Sequence, residues 1–139
     1  MKKTMAFAAV TLVAATALVT VFARDLDGAD VTGGAEYHKI PAEEAKAMMD
    51  GDEPYILLDV RTEAEFAEGH IEGAVLIPDF EIADRAPEEL PELDGVILVY
   101  CRSGRRSAGA AYALVAMGYT NVFDFGGILD WPYETVAGQ

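Results

Sequence analysis

A single cysteine, Cys101, stands in the 139-residue chain, and Arg102, Arg105 and Arg106 follow it within five residues. Ser103 and Gly104 lie among them. A thiol attacks only as the thiolate, and an ordinary cysteine is only a few per cent ionised at neutral pH. Helix N-termini and neighbouring cations bring a thiol pKa down to roughly 3.5–7.5. The helix dipole supplies about 0.3–1 kcal/mol at an exposed site, whereas a drop of two pH units corresponds to about 2.7 kcal/mol. The remainder must come from backbone N–H groups aimed at the sulfur, or from the arginines. A short loop containing Gly104 can curl its N–H groups into an anion-binding nest. The cradle that stabilises a thiolate also receives an oxyanion. Cys101 is therefore a candidate nucleophile, and Arg102, Ser103, Gly104, Arg105 and Arg106 are candidate substrate-binding residues. Packing as a small hydrophobe is the commonest fate of a lone cysteine. An apolar core, however, would not tolerate three unpaired guanidinium groups beside it.

The elements that must position this loop are legible on either side of it. Val96-Ile97-Leu98-Val99 is a short β-branched and apolar run that predicts a buried strand. Ser107 to Met117, alanine-rich and followed by Gly118, predicts a helix closed by a glycine. The thiol thus falls where a strand gives way to a helix, the place where open α/β sheets gather ligands. Upstream, Tyr37–Ile40, Tyr55–Val60 and Val75–Ile77 predict strands, and Asn121–Phe125 predicts the last one. Pro41 to Met49 predicts a helix with proline at its first position and acidic residues in its first turn. A helix near Glu63–Glu68 and short helical turns over Phe80–Leu93, broken by Pro87 and Pro91, complete the alternation, with a terminal turn at Gly127–Trp131. Alternating strands and helices predict a parallel-sheet α/β domain.

The loop Tyr100-Cys101-Arg102-Ser103-Gly104-Arg105-Arg106-Ser107 resembles the C-x-x-G-x-R-S active-site loop of rhodanese-like sulfurtransferases. Leu58-Asp59-Val60-Arg61 through Glu65-Phe66, Gly69-His70-Ile71 and Gly73-Ala74 is similar to that family's D-V-R-x-x-x-E-F-x-x-G-H-I-x-G-A segment. Gly118-Tyr119-Thr120-Asn121-Val122 and Gly126-Gly127-Ile128-Leu129-Asp130-Trp131 resemble its closing segments. The resemblance spans roughly Glu36 to Ala137. It implies a three-layer domain at 36–137, with a central, mostly parallel five-stranded sheet flanked by helices. It also implies a ping-pong cycle in which Cys101 takes a sulfane sulfur from a donor such as thiosulfate and passes it on as a persulfide. The acceptor would be cyanide or a thiol. Backbone N–H groups from Arg102 to Arg106 would hold the persulfide, and the arginines would attract the anionic donor. No cofactor is implied beyond the covalent persulfide, and a monomer is expected.

Other residues invite roles of their own. Asp59 and Arg61 end a strand on the edge that carries Cys101, where they either order the mouth of the site or form an ion pair tying the following loop. His70 could serve as a base beside the thiol, but in the resemblance it belongs to the G-H-I turn. His38 is expected on the surface. Trp131 either caps the core or walls the pocket. No cluster of His, Cys and Asp has metal-ligand spacing. Phosphatase or arsenate reductase loops follow C-x₅-R. Arg106 gives C-x₄-R here, a loop one residue too short for phosphate, and Tyr100 stands where such loops usually place histidine. A third reading is a docking or sulfur-carrying module with little turnover.

Composition bounds the partners. There are 24 acidic and 10 basic residues, and Lys2 and Lys3 lie in a predicted leader. A chain beginning at Arg24 carries a formal charge of −16, which disfavours nucleic acid. Met1-Lys2-Lys3 is a basic start, and Met5 to Ala23 runs without charge. Val21-Phe22-Ala23 fits a signal-peptide cleavage site. Residues 1–23 therefore predict a signal peptide, or an anchor if uncleaved, and 24–35 a linker rich in Asp and Gly. Periplasmic or other export follows from either, with membrane association only through an uncleaved segment.

Overall fold

The structure is a computed structural model and describes residues 36–138. The predicted leader at 1–23 and linker at 24–35 lie outside the described residues. The elements are β1 (His38–Lys39), α1 (Ala42–Met49), β2 (Tyr55–Asp59), α2 (Glu63–Glu68), β3 (Val75–Leu76), α3 (Ile82–Glu89), β4 (Val96–Cys101), α4 (Arg105–Ala116) and β5 (Asn121–Gly127). Short 3₁₀ turns at Asp79–Glu81 and Ile128–Asp130 lead into α3 and follow β5.

The five strands form one sheet in the order β1-β5-β4-β2-β3, with every pairing parallel. Strand β4 is central and buried on both faces, as a parallel-sheet strand covered by helices must be. Alternation along it divides the core. Ile97, Val99 and Cys101 join Ile82 and Ala86 of α3 and Ala110, Ala111 and Leu114 of α4. Leu98 and Tyr100 join Ala45 of α1, Phe125 and Trp131 on the other face. The result is the three-layer arrangement expected, and Trp131, 8% exposed, belongs to that second core.

The strand limits shift by up to two residues from the sequence expectation, and three further differences have a local reason. Pro41 is the N-cap of α1 and not its first helical residue; its ψ of 161° is extended. Helix α4 begins at Arg105, two residues before Ser107, because Gly104 takes a left-handed φ of +98° and turns the chain directly into the helix. Arg105 and Arg106 are thus first-turn residues of α4. Segment 82–89 is one helix that passes through Pro87. Arg85 braces it with ion pairs to Glu81 and Glu89. The Tyr119 hydroxyl lies 2.9 Å and 2.7 Å from the carbonyls of Ala86 and Leu90, where the helix ends. The C-terminus of α4 closes as foreseen. The N–H of Gly118 (φ +104°) donates to the Val115 carbonyl and that of Tyr119 to the Leu114 carbonyl, a Schellman motif.

Asp59 and Arg61 form a buried ion pair behind the carboxyl edge of the sheet. Arg61 also donates to the Gly69 carbonyl at 2.7 Å, joining the end of β2 to the end of α2. His70 lies in that joint, stacked on Phe66 and bonded through Nδ1 to the Phe66 carbonyl. His38 is exposed and stacks on Phe123.

Candidate functional site

Cys101 is the last residue of β4 and is 1% exposed. The chain turns over its sulfur at once: the N–H of Gly104 donates to Sγ at 3.0 Å, and the Ser107 hydroxyl stands 3.6 Å away. Burial pushes the thiol pKa up. The Ser107 hydroxyl and the backbone N–H groups of Ser107, Gly104 and Ser103 outweigh burial, so the thiol lies below its ordinary value. Of the two sources of stabilisation left open by the sequence, the structure supplies the first: peptide N–H groups held in place by a turn and a helix start.

The loop rests on the end of β5. A Cβ on Gly127 would stand 2.2 Å from the Arg102 carbonyl oxygen and 2.5 Å from the Cα of Ser103. Only a residue without a side chain permits that approach. The N–H of Leu129 donates to the same Arg102 carbonyl at 3.2 Å. Beside it, the Ser107 hydroxyl lies 3.2 Å from the carbonyls of both Gly104 and Gly126.

The arginines divide into two kinds. Arg106 is half-buried and makes a two-pronged pair with Glu65, at 2.8 Å and 2.7 Å. Arg102 and Arg105 are exposed and are the two cations without a carboxylate partner among the described residues. Ser103 is exposed with them, and Gly104 is partly covered. Two clefts flank the loop. One, of about 450 Å³, is lined by Asp79, Arg102, Ser103, Arg105 and Arg106 with the small residues of α4. The other, of about 410 Å³, is lined by Arg61, Glu65, Arg102, Leu129 and Trp131. Arg102 faces both, and Arg61 and Trp131 wall the second in addition to their structural roles. A roomier cleft, about 790 Å³ between Lys46 and Tyr133, includes no residue of the loop.

Four contributors are not legible in the sequence. Ser107 ends the loop motif, where its type alone assigns it no site role. Gly126 and Gly127 stand as a pair, with nothing in the sequence to say what approaches them. Glu65 sits 41 residues before its partner Arg106. It also closes the N-terminus of α2 as a capping box with Thr62. Arg106 is the main cause of its carboxyl falling to about 2; burial opposes this, and the Thr62 N–H and hydroxyl add to it.

A carboxylate held below its unfolded value stabilises the fold above that unfolded value, near 4.5, and the stabilisation is lost as pH falls toward 2. Glu65→Gln should therefore cost about 1–2 kcal/mol at pH 6, a range suited to a partly screened charge-assisted pair. That difference should shrink toward zero near pH 2, as read by urea unfolding of both proteins across the window. A constant difference at every pH would contradict the pairing.

A family profile described as Rhodanese-like domain matches residues 41–133. The chain is 36% identical over 81 residues to thiosulfate sulfurtransferase PspE of Escherichia coli K12, covering 58% of this chain and 78% of that one. It is 32% identical over 110 residues to thiosulfate sulfurtransferase GlpE of Pseudomonas fluorescens SBW25, covering 76% of this chain and 97% of that one. Among solved structures it is similar to a rhodanese with anions from E. coli. The TM-score is 0.58 and the identity 34%, over 61% of this chain and 100% of the other.

Proposed function

The chain belongs to the rhodanese-like domain family, and we propose that it is a sulfurtransferase whose Cys101 carries the sulfur as a persulfide. The observation that carries this reading is the thiol at the end of β4, with the Gly104 N–H donating to its sulfur and the Ser107 hydroxyl beside it. The Cys101 thiolate attacks the outer sulfur of thiosulfate. A sulfur–sulfur bond to Cys101 forms as the donor's own sulfur–sulfur bond breaks, and sulfite leaves with the electron pair. Cyanide or a thiolate then attacks the outer sulfur of the persulfide, and Cys101 departs as thiolate. No proton moves in the cyanide cycle, so it needs neither a general base nor a cofactor. The bonds His70 makes within its turn are in keeping with this.

The loop contributes in two ways. The N–H groups that stabilise the thiolate also serve the persulfide anion, which occupies the same cradle. Arg102 and Arg105 meet the anionic donor, while Arg106 holds the loop to α2 through Glu65 and adds its charge behind the pair. The whole molecule is acidic, so the two loop cations that have no carboxylate partner among the described residues are the local attraction an anion meets. Thiosulfate fits this rim, and export through residues 1–23 belongs to the same reading.

Initial-rate kinetics with thiosulfate and cyanide test the cycle, and the expected pattern is ping-pong. Arg102→Ala and Arg105→Ala should each raise the KM for thiosulfate by about three- to thirtyfold, the worth of one charge-assisted contact partly open to water. The KM for cyanide should change far less. Unchanged thiosulfate KM in the double variant would contradict the role given to these arginines.

A further inference from the structure

Asp124 is a buried carboxylate that sulfur transfer leaves without a task. Its side chain is fully buried in β5. Oδ1 accepts the Gly126 N–H at 3.0 Å, whereas Oδ2 has no hydrogen-bond partner. Lys39, on a largely exposed side chain, stands 3.6 Å from Oδ2. A buried carboxylate with half its acceptor capacity idle is costly. By alternation Asp124 shares the face of Val122, where an apolar residue would pack without that cost.

What Asp124 grips is the irregularity beneath the loop. Val99 pairs with Asp124, yet Cys101 pairs with Gly127, so β5 carries one residue more than β4 across this interval. The extra length is taken up as a bulge in which Gly126 has a φ of +92°. From there the Gly126 carbonyl meets the Ser107 hydroxyl at 3.2 Å. The Cα of Gly126 also lies 3.4 Å from where a Cβ on Gly104 would stand, so it is the floor under Gly104. Gly104 and Ser107 are hydrogen-bonded to the Cys101 sulfur.

We propose that Asp124 is a positioning residue for Cys101: it fixes Gly126 in the bulge, and Gly126 fixes the Gly104 N–H and the Ser107 hydroxyl against the sulfur. This rests on the reading of Cys101 as the nucleophile. Preorganised donors stabilise an anion more than donors that must be gathered each time. Loosening the bulge should therefore leave a folded protein with a less acidic thiol.

The test is the pH midpoint of Cys101 alkylation by iodoacetamide, with circular dichroism to establish folding. Asp124→Asn keeps an oxygen toward Gly126 and should match the unaltered protein. Asp124→Ala and Asp124→Val remove the acceptor, the second while filling the space with a strand-favouring side chain. Either should raise the midpoint by about one pH unit or more, with roughly tenfold slower alkylation at neutral pH. Lys39→Ala should leave the midpoint in place, because the proposed grip acts through Oδ1. A folded Ala or Val variant with an unmoved midpoint overturns the proposal. So does an Asn variant shifted as far as they are, and so does failure of both apolar variants to fold, which would make Asp124 a folding residue only. An ordinary thiol midpoint in the unaltered protein overturns the nucleophile reading instead.

Discussion

Cys101→Ser is expected to lower sulfur transfer from thiosulfate to cyanide at least about a thousandfold while leaving the fold intact. The serine hydroxyl is close in size to the thiol and can meet the same Gly104 N–H and Ser107 hydroxyl that Cys101 meets, so the melting temperature should move by only a few degrees. What it cannot do is ionise at neutral pH and form a persulfide. In covalent catalysis, removing the group that carries the intermediate removes the pathway and not merely a contact. The check is the initial rate beside a thermal melt. A folded Cys101→Ser protein that kept a tenth of the activity would show that sulfur travels without a covalent stop.

The second large effect is expected far from any ionisable group. Gly127→Ala places a methyl group 2.2 Å from the Arg102 carbonyl oxygen, 2.5 Å from the Ser103 Cα and 2.6 Å from the Arg102 carbonyl carbon. All three are backbone atoms, so no side chain can swing away. Gly127 itself has an ordinary φ of −121°, which makes overlap, not backbone strain, the whole of the cost. Relief requires the loop to lift by about an ångström. Overpacking of this kind costs about 1–3 kcal/mol. A misplacement of that size at a reacting group costs roughly a hundredfold in rate. The expected result is therefore a melting temperature lower by several degrees and transfer slower by about two orders of magnitude. Gly73→Ala, outside the loop and its floor, offers a control. Its φ of +82° makes alanine strained, but nothing lies within 4 Å of the new methyl group. It should lose comparable stability and much less activity. Equal loss of activity in both variants would contradict the role assigned to the close approach at Gly127.

The close approach at Gly127 also marks where local pattern stops deciding the structure. Local pattern was sufficient for the alternating strands and helices, for the thiol at a strand end, and for the glycine closure of α4. Each is decided by residues within one turn or one strand. The start of α4 was not legible, because Gly104 replaces a side-chain cap with a left-handed turn, and no polar residue announces it. Nor was the continuity of α3 through Pro87, which depends on Arg85 and on a tyrosine some thirty residues downstream. The division of labour among the arginines was hidden for the same reason. Three arginines in a row of five look alike until α2 brings Glu65 against one of them. The floor of the site needed the sheet: only when β5 lies beside β4, one residue out of step, do Gly126 and Gly127 meet the loop.

Intact mass spectrometry of the purified full chain, taken before thiosulfate, after it, and after a final addition of cyanide, decides whether Cys101 carries the sulfur. The expected result is a gain of one sulfur atom on the protein, its loss on cyanide addition, and neither change in Cys101→Ser. The same spectrum tests the proposed removal of residues 1–23, which would place the first residue at Arg24. A protein that turns thiosulfate over while its mass never changes, or one that gains sulfur equally without Cys101, would contradict the persulfide cycle.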